Sequence, residues 1–185
     1  MSDIIIRPAT PTDAAAIAQV RVDAWRTTYK GMIPDAYLAA MKVEDSTVLW
    51  EKVLSAGPNS TSVFVAANAD GVVGFAAGHM LAEEKHGLDA ELSAVYLVHH
   101  AQREGVGARL VATVAAAQRA HGAAGLLVWV IAGNKPARAF YEKLGAELLI
   151  EQPFTWDGME LVETGYGWRD LDALVAAVDL SAVLH

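Results

Sequence analysis

Gln102-Arg103-Glu104-Gly105-Val106-Gly107-Ala108 is the stretch on which the reading of this 185-residue chain turns. A run with strand character, Glu91 to Val98 (ELSAVYLV), leads into it, and a run with helix character, Ala108 to His121, leads out. A turn between strand and helix leaves main-chain N–H groups without partners, and the helix dipole adds partial positive charge there. A phosphate-bearing ligand finds donors at such a place whatever the side chains are. Gly105 and Gly107 permit a positive φ and a close approach to the backbone. The same pattern also suits a plain tight turn. Two other phosphate loops are excluded. A dinucleotide fingerprint needs Gly or Ala three residues after the second glycine, where Leu110 stands. A P-loop needs Gly-Lys-Ser/Thr, whereas Ala108 and Arg109 follow Gly107.

Working outward, Leu126 to Ile131 is wholly apolar, as a central strand buried on both faces should be. Asn134 is placed to cap a helix that Gly145 ends. Ala146 to Glu151 and Glu160 to Gly167 read as two late strands around Trp156-Asp157-Gly158. Upstream, Ile4 to Arg7 reads as a first strand, and Thr10-Pro11-Thr12-Asp13 as a capping box opening a helix that runs to about Tyr29. Short helices follow from Pro34-Asp35 through Met41 and from Val43 to Ser55, then a loop at Gly57 to Ser60. Ser62 to Ala67 and Val72 to Met80 flank Asn68-Ala69-Asp70-Gly71 as a hairpin. Leu81 to Asp89 (LAEEKHGLD) reads as a polar, mobile connection, and Asp170 to His185 as a tail compatible with a last helix.

This order predicts a mixed α/β sheet covered by helices, with the ligand at the carboxyl end of a central strand. The length suits one domain over 1–185, with a core at about 4–168 and a tail at 169–185. The chain has no cysteine, so disulfides, thiolate metal sites and a cysteine nucleophile are all excluded, in keeping with a reducing cytoplasm. The N-terminus is too soon charged and proline-broken for a signal peptide, and the longest uncharged run, 120–134, is shorter than a membrane span. A formal net charge of −8 argues against a general nucleic-acid binder, and its main consequence is solubility.

Three segments in the right order carry a resemblance. The loop Q-R-E-G-V-G-A is similar to the Q/R-x-x-G-x-G/A pyrophosphate loop of the GNAT superfamily of N-acetyltransferases, which use acetyl-CoA. Glu91-Leu92-x-x-Val95-Tyr96-Leu97 resembles the strand before that loop. Asn134-x-x-Ala137-x-x-Phe140-Tyr141-Glu142-Lys143-Leu144-Gly145 resembles the following helix of that family. The likeness runs from about Ile4 to Trp168. It implies a mostly antiparallel central sheet flanked by helices, in which two neighbouring strands, Glu91–Val98 and Leu126–Ile131, splay apart to admit the pantetheine arm. It also implies pantetheine hydrogen bonds to the backbone at Val95 and Leu97, and pyrophosphate held by the loop from Gln102 through Arg103, Glu104, Gly105, Val106 and Gly107 to Ala108.

The resemblance further implies that Tyr141 lies near the CoA sulfur as a proton donor or hydrogen-bond partner; by itself the residue equally suits a core tyrosine beside Phe140. Asn134 serves as a helix cap and borders the pantetheine or acceptor site. Glu91 stands where the family often has the residue that deprotonates the amine, directly or through water. Trp25 and Tyr29 fall among the acceptor-side helices, where they line an amine pocket or simply fill the core. There are two departures. His99 and His100 occupy the place of a proline common after this strand, His99 offering a second candidate base. Trp129 stands where ribosomal-type N-terminal acetyltransferases tend to have Glu. Two adjacent histidines on an extended chain point to opposite sides, so a chelating pair is not expected, and no metal is. With no cysteine, the implied chemistry is direct attack by a primary amine on acetyl-CoA in a ternary complex. A non-catalytic acyl-CoA-binding or regulatory module of the same fold is the alternative, and a homodimer through the late strands is a further expectation.

Overall fold

A computed structural model describes residues 3–57 and 61–183. The strands are β1 (Ile5–Pro8), β2 (Ser62–Asn68), β3 (Gly71–Lys85), β4 (Leu88–Leu97), β5 (Leu126–Ile131), β6 (Glu147–Trp156) and β7 (Met159–Trp168). The helices are α1 (Ala14–Thr28), α2 (Asp35–Ala40), α3 (Val43–Ser55), α4 (Val106–Ala120), α5 (Lys135–Lys143) and α6 (Leu171–Val183). The strands form one sheet in the order β1-β2-β3-β4-β5-β7-β6. Every neighbouring pair is antiparallel except β4 and β5.

Two cores lie on opposite faces of the sheet. Leu110, Val111 and Val114 of α4 pack on Ala76, Leu92 and Val128, together with Leu171 and Leu174 of α6. On the other face Ile17 and Ala18 of α1 and Trp50 of α3 pack on Val65, Phe75 and Ala77. Fully burying one such aliphatic or aromatic side chain contributes about 1.5–3 kcal/mol, so these rows are what hold the helices to the sheet. At the N-terminal end the capping box forms as the sequence predicts. The Thr10 N–H donates to the Asp13 carboxylate at 2.8 Å, and Arg7 clamps the same carboxylate with bonds of 2.8 and 3.0 Å.

Several boundaries differ from the sequence expectation. Residues 81–89 are the end of a long β3–β4 hairpin rather than a loop, turned at His86 and Gly87 with φ of 53° and 78°. Two successive positive φ values give the turn whose twist matches that of paired strands. The polar composition reflects exposure of residues 82–87. Helix α4 starts at Val106, so Gly107 and Ala108 sit in its first turn. Strands β6 and β7 are one long hairpin turned at Asp157-Gly158, where φ is 47° and 78°. The tail folds as α6, capped by the Asp170 carboxylate accepting from the Ala173 N–H at 3.0 Å. The expected loop at Pro58 to Ser60 lies outside the described residues. Among those described, no helix is long and apolar enough to cross a membrane.

Candidate active site

β4 and β5 pair only at Ala90–Leu126, Glu91–Leu127 and Leu92–Val128, although both strands run on for several residues. The cause is a bulge. Ala77 of β3 faces Ala94 while Gly78 faces Leu92, leaving Ser93 as the extra residue of β4. A bulge bends and twists its strand, and here it turns β4 away from β5. At the closed end, the Asp89 carboxylate accepts from the N–H groups of Ala124 and Gly125 at 3.0 Å, pinning the start of β4 to the approach of β5. A wedge-shaped gap therefore opens toward the carboxyl ends of the two strands.

The edges of that gap carry unpaired main-chain donors. Val98 donates its N–H to Val73 on β3 at 2.8 Å. Alternate amides of an extended strand point to opposite edges, so those of Leu97 and Val95 turn toward the gap. Gln102 donates from Nε2 to the Leu97 carbonyl at 3.3 Å, tying the loop to the end of β4. Beyond it Arg103 and Gly105 both hold left-handed conformations, with φ of 67° and 79°. Among the described residues the amides from Arg103 to Ala108 have no protein acceptor; the first helical bond of the turn is Arg109 N–H to the Gly105 carbonyl at 3.1 Å. Arg103 and Glu104 are exposed, and Arg103 makes no hydrogen bond or ion pair among the described residues. Gly107 packs tightly: a Cβ there would lie 3.3 Å from both Leu97 Cδ1 and Phe140 Cζ.

The bulge also decides which side chains meet. It resets the alternation, so Leu92, Val95 and Leu97 join the core under α4, while Ala94 and Tyr96 face α1 and α3. Tyr96 thus meets Tyr29, hydroxyl to hydroxyl at 3.4 Å. Trp25 lies 4.9 Å from the Tyr29 ring, 6.5 Å from Tyr96 and 4.9 Å from Trp156. Tyr141 belongs to the opposite core, 7% exposed, with its ring 5.8 Å from Trp168. Burial first, and then the Tyr96 phenol, push its hydroxyl well above the ordinary phenol range. Burial likewise raises Tyr29, with Tyr96 and then Tyr141 adding to the effect and Arg21 opposing it. Tyr141 sits on the α4 side, and Tyr29 and Tyr96 on the other.

Helix α5, which carries Tyr141, is tied to its surroundings by hydrogen bonds. Asn134 caps it, accepting from the Ala137 N–H at 3.3 Å. Fully buried Tyr166 on β7 donates to Glu142 at 2.6 Å and accepts from Arg138 at 3.0 Å, and Trp168 Nε1 donates to the Leu144 carbonyl at 3.0 Å.

The structure thus brings Trp25 and Tyr29 together around Tyr96 on one face of the sheet and leaves Tyr141 in the core of the other face, with Val95, Leu97, Asn134 and the loop from Gln102 to Ala108 bordering the gap. Glu91 does not join them. It faces the same side as Tyr96, but four strand steps away, about 13 Å, beside His79 at 3.6 Å. His99 and His100 are exposed in a single 3-10 turn. Among the described residues no group of acidic or histidine side chains is arranged to hold a metal ion. Sequence reasoning did not pick out Tyr96, Tyr37 or Trp156 as site residues. The two Trp156 contacts, with Trp25 and Tyr37, cross more than a hundred residues of chain.

Comparison with known proteins gives one consistent result. Residues 20–146 match the acetyltransferase (GNAT) family. The chain is 38% identical to YuaI of Bacillus subtilis, named as an uncharacterized N-acetyltransferase, over 92% of its own length and 96% of that protein's. It is 30% identical to a protein of Mycobacterium tuberculosis named as an N-acetyltransferase, over 89% and 93%. In three dimensions it is similar to the PaiA N-acetyltransferase of Thermoplasma acidophilum, solved in complex with coenzyme A. The TM-score is 0.69 at 21% identity, covering 88% of this chain and 98% of that one. It is also similar to YncA of Salmonella typhimurium, described as an acetyltransferase and solved with acetyl-CoA, with a TM-score of 0.67 at 19% identity over 91% and 94%.

Proposed function

This chain belongs to the GNAT family of acetyltransferases, and on that premise we propose that it moves the acetyl group of acetyl-CoA directly to a primary amine in a ternary complex, as a single domain. The observation that carries the reading is the row of unpaired amides from Arg103 to Ala108 at the mouth of the β4–β5 gap. Those donors, with the α4 dipole behind them, suit a pyrophosphate. Along the gap the amides of Val95 and Leu97 suit the pantetheine arm, which is consistent with the coenzyme A and acetyl-CoA held by the two solved relatives.

In this reading the Leu97 N–H polarises the thioester carbonyl, as a fixed donor where negative charge develops. Tyr141, kept neutral by its surroundings, donates toward the departing sulfur. The attacking amine must first lose a proton. Glu91 accepts it by way of water, because its carboxylate stands away from the tyrosine cluster. Trp25, Tyr29 and Tyr96 form the wall against which the acceptor rests.

The test is thermal unfolding with and without acetyl-CoA, with NAD and ATP as controls. A ligand that binds the native state raises the midpoint with its concentration. A rise with acetyl-CoA alone, followed by thiol release in an amine screen, is the expected result. No rise at high concentration overturns the proposal, and binding with no release from any amine indicates a non-catalytic acyl-CoA-binding module.

A further inference from the structure

Arg21, Trp25 and Tyr29 follow one another at four-residue spacing down one face of α1. The Arg21 guanidinium lies 4.6 Å above the Trp25 ring. Its charge pulls down the hydroxyls of both Tyr29 and Tyr37, against burial and, at Tyr37, also against the Asp157 carboxylate hydrogen-bonded to it. Arg7, Arg119 and Arg169 each pair with a carboxylate, and Arg26, Arg109 and Arg138 bond to carbonyls or a phenol. Arg21 does neither among the described residues, although it is half-buried beside the candidate acceptor wall.

It is not the only donor there without an acceptor. A groove of about 300 Å³ between α1, α2 and α3 is lined by Arg21, Tyr37, Lys42, Asp45 and Ser46. The Ser46 hydroxyl is buried, with the residue 6% exposed, and has no hydrogen-bond partner. The indole N–H of Trp25, which is 8% exposed, has none either. The groove runs into the aromatic wall through Tyr37, whose ring meets Trp156 at 5.4 Å. The carboxylate of Asp45 also lines the groove, but it forms no ion pair with Arg21 or Lys42 and stands exposed. Two cations and a buried hydroxyl line a space whose one lining carboxylate is Asp45, while Asp157 is engaged with the Tyr37 hydroxyl. Unpaired buried donors are costly, and an anionic oxygen is what would satisfy them.

We infer that the acceptor is a small amine that also carries an anionic group, held by the Arg21 guanidinium and the Ser46 hydroxyl while its amine points to the Tyr29–Tyr96 end of the wall. This rests on the acetyl-transfer reading above. It goes beyond it in naming the acceptor's class: an amino acid or aminophosphonate in chemistry, with an apolar body against Trp25 and Trp156. A guanidinium binds carboxylate and phosphonate through the same paired N–H···O geometry.

The experiment measures CoA thiol release, with acetyl-CoA saturating, from matched sets of amines. These are the twenty amino acids and longer ω-amino acids, their aminophosphonate counterparts, and the decarboxylated amines of the same carbon skeletons. Acids are expected to outperform their decarboxylated partners. Arg21→Gln should lower kcat/KM for the acids about 10- to 100-fold, the loss expected when a charged hydrogen bond is removed, and leave the decarboxylated amines nearly unchanged. Ser46→Ala should keep or raise the unfolding temperature while weakening the acids, because it removes a buried hydroxyl that lacks a partner. Carboxylates and phosphonates that differ from each other but both depend on Arg21 support the proposal and rank the two. Equal or better turnover of the decarboxylated amines overturns it, as does an Arg21→Gln loss shared equally by both sets, or silence from every acid. A missing thermal shift with acetyl-CoA would instead remove the transferase reading itself.

Discussion

The hydroxyls of Tyr29 and Tyr96 stand 3.4 Å apart, one from the end of α1 and the other from β4 beyond its bulge. That contact joins the acceptor-side helices to the strand whose amides face the gap. It is long for a hydrogen bond between hydroxyls, and burial keeps the Tyr29 phenol protonated. The Tyr29 hydroxyl so placed leaves this end of the wall able to donate or accept a hydrogen bond.

Tyr141 makes no hydrogen bond through its hydroxyl among the described residues, and its ring is packed against Phe140 and Trp168. Tyr141→Phe should therefore leave stability within about 0.5 kcal/mol, since no buried partner is orphaned, while kcat falls about 100-fold for loss of a proton donor. The raised phenol stays protonated above the range where free tyrosine ionises, so the variant should not change any decline of rate toward high pH. Steady-state kinetics from pH 6 to 10 decide it. A wild-type rate in the variant would return Tyr141 to the core alone.

Gly107 has no room to spare. Gly107→Val places carbon against Leu97 and Phe140 and shifts the first turn of α4, so acetyl-CoA affinity should drop at least tenfold. By contrast, a Cβ at Gly105 meets open space, and the penalty there is its left-handed φ of 79°. Gly105→Ala should cost about 1 kcal/mol of stability and weaken binding less. Calorimetric titration with acetyl-CoA on both variants gives the order, and the reverse order would contradict the packing account.

Glu91 is the candidate proton acceptor by way of water, with His79 as its neighbour across β3. Glu91→Gln should lower kcat by about 100-fold, with acetyl-CoA binding kept. A variant that turns over at the wild-type rate would end the assignment.

Asp13 gives the fold an acid-sensitive joint. The Arg7 clamp, ahead of the Thr10 hydrogen bonds, holds its carboxyl below the usual carboxylate range. A depressed folded pKa means the stabilisation is full above the unfolded value of about 4 and is lost as pH falls through the folded value. Asp13→Ala should cost about 2 kcal/mol at pH 7 through the lost cap and charged hydrogen bonds. The difference from wild type should shrink below pH 4. Urea unfolding at pH 7 and pH 3.5 measures both; a gap that persists unchanged in acid would point to packing instead.

Much of the fold was legible locally. Val43–Ser55 and Leu126–Ile131 have the boundaries that periodicity and flanking residues predict. The Thr10–Asp13 box, the Asn134 cap and the glycine turn at Gly105 are each readable within a few residues. The β3–β4 hairpin was not, because residues 82–87 are polar and exposed and nothing in their alternation marks a strand. Likewise α4 starts two residues earlier than expected, at Val106, with Gly107 packed between Leu97 and Phe140 from distant elements.

The sequence by itself determined the strand–loop–helix unit with its phosphate-ready amides, the helix caps and the central apolar strand. Each depends on interactions spanning only a few residues, so the chain states them directly. Only the tertiary structure decided which way Tyr96 points, that Glu91 stands apart from the tyrosines, and that Arg21 and Ser46 face one groove. Those outcomes depend on a one-residue bulge at Ser93, which reverses every side chain beyond it, and on helices from distant parts of the chain closing on the sheet. A register shift of this kind is set by the packing of both faces at once, and no single segment encodes it.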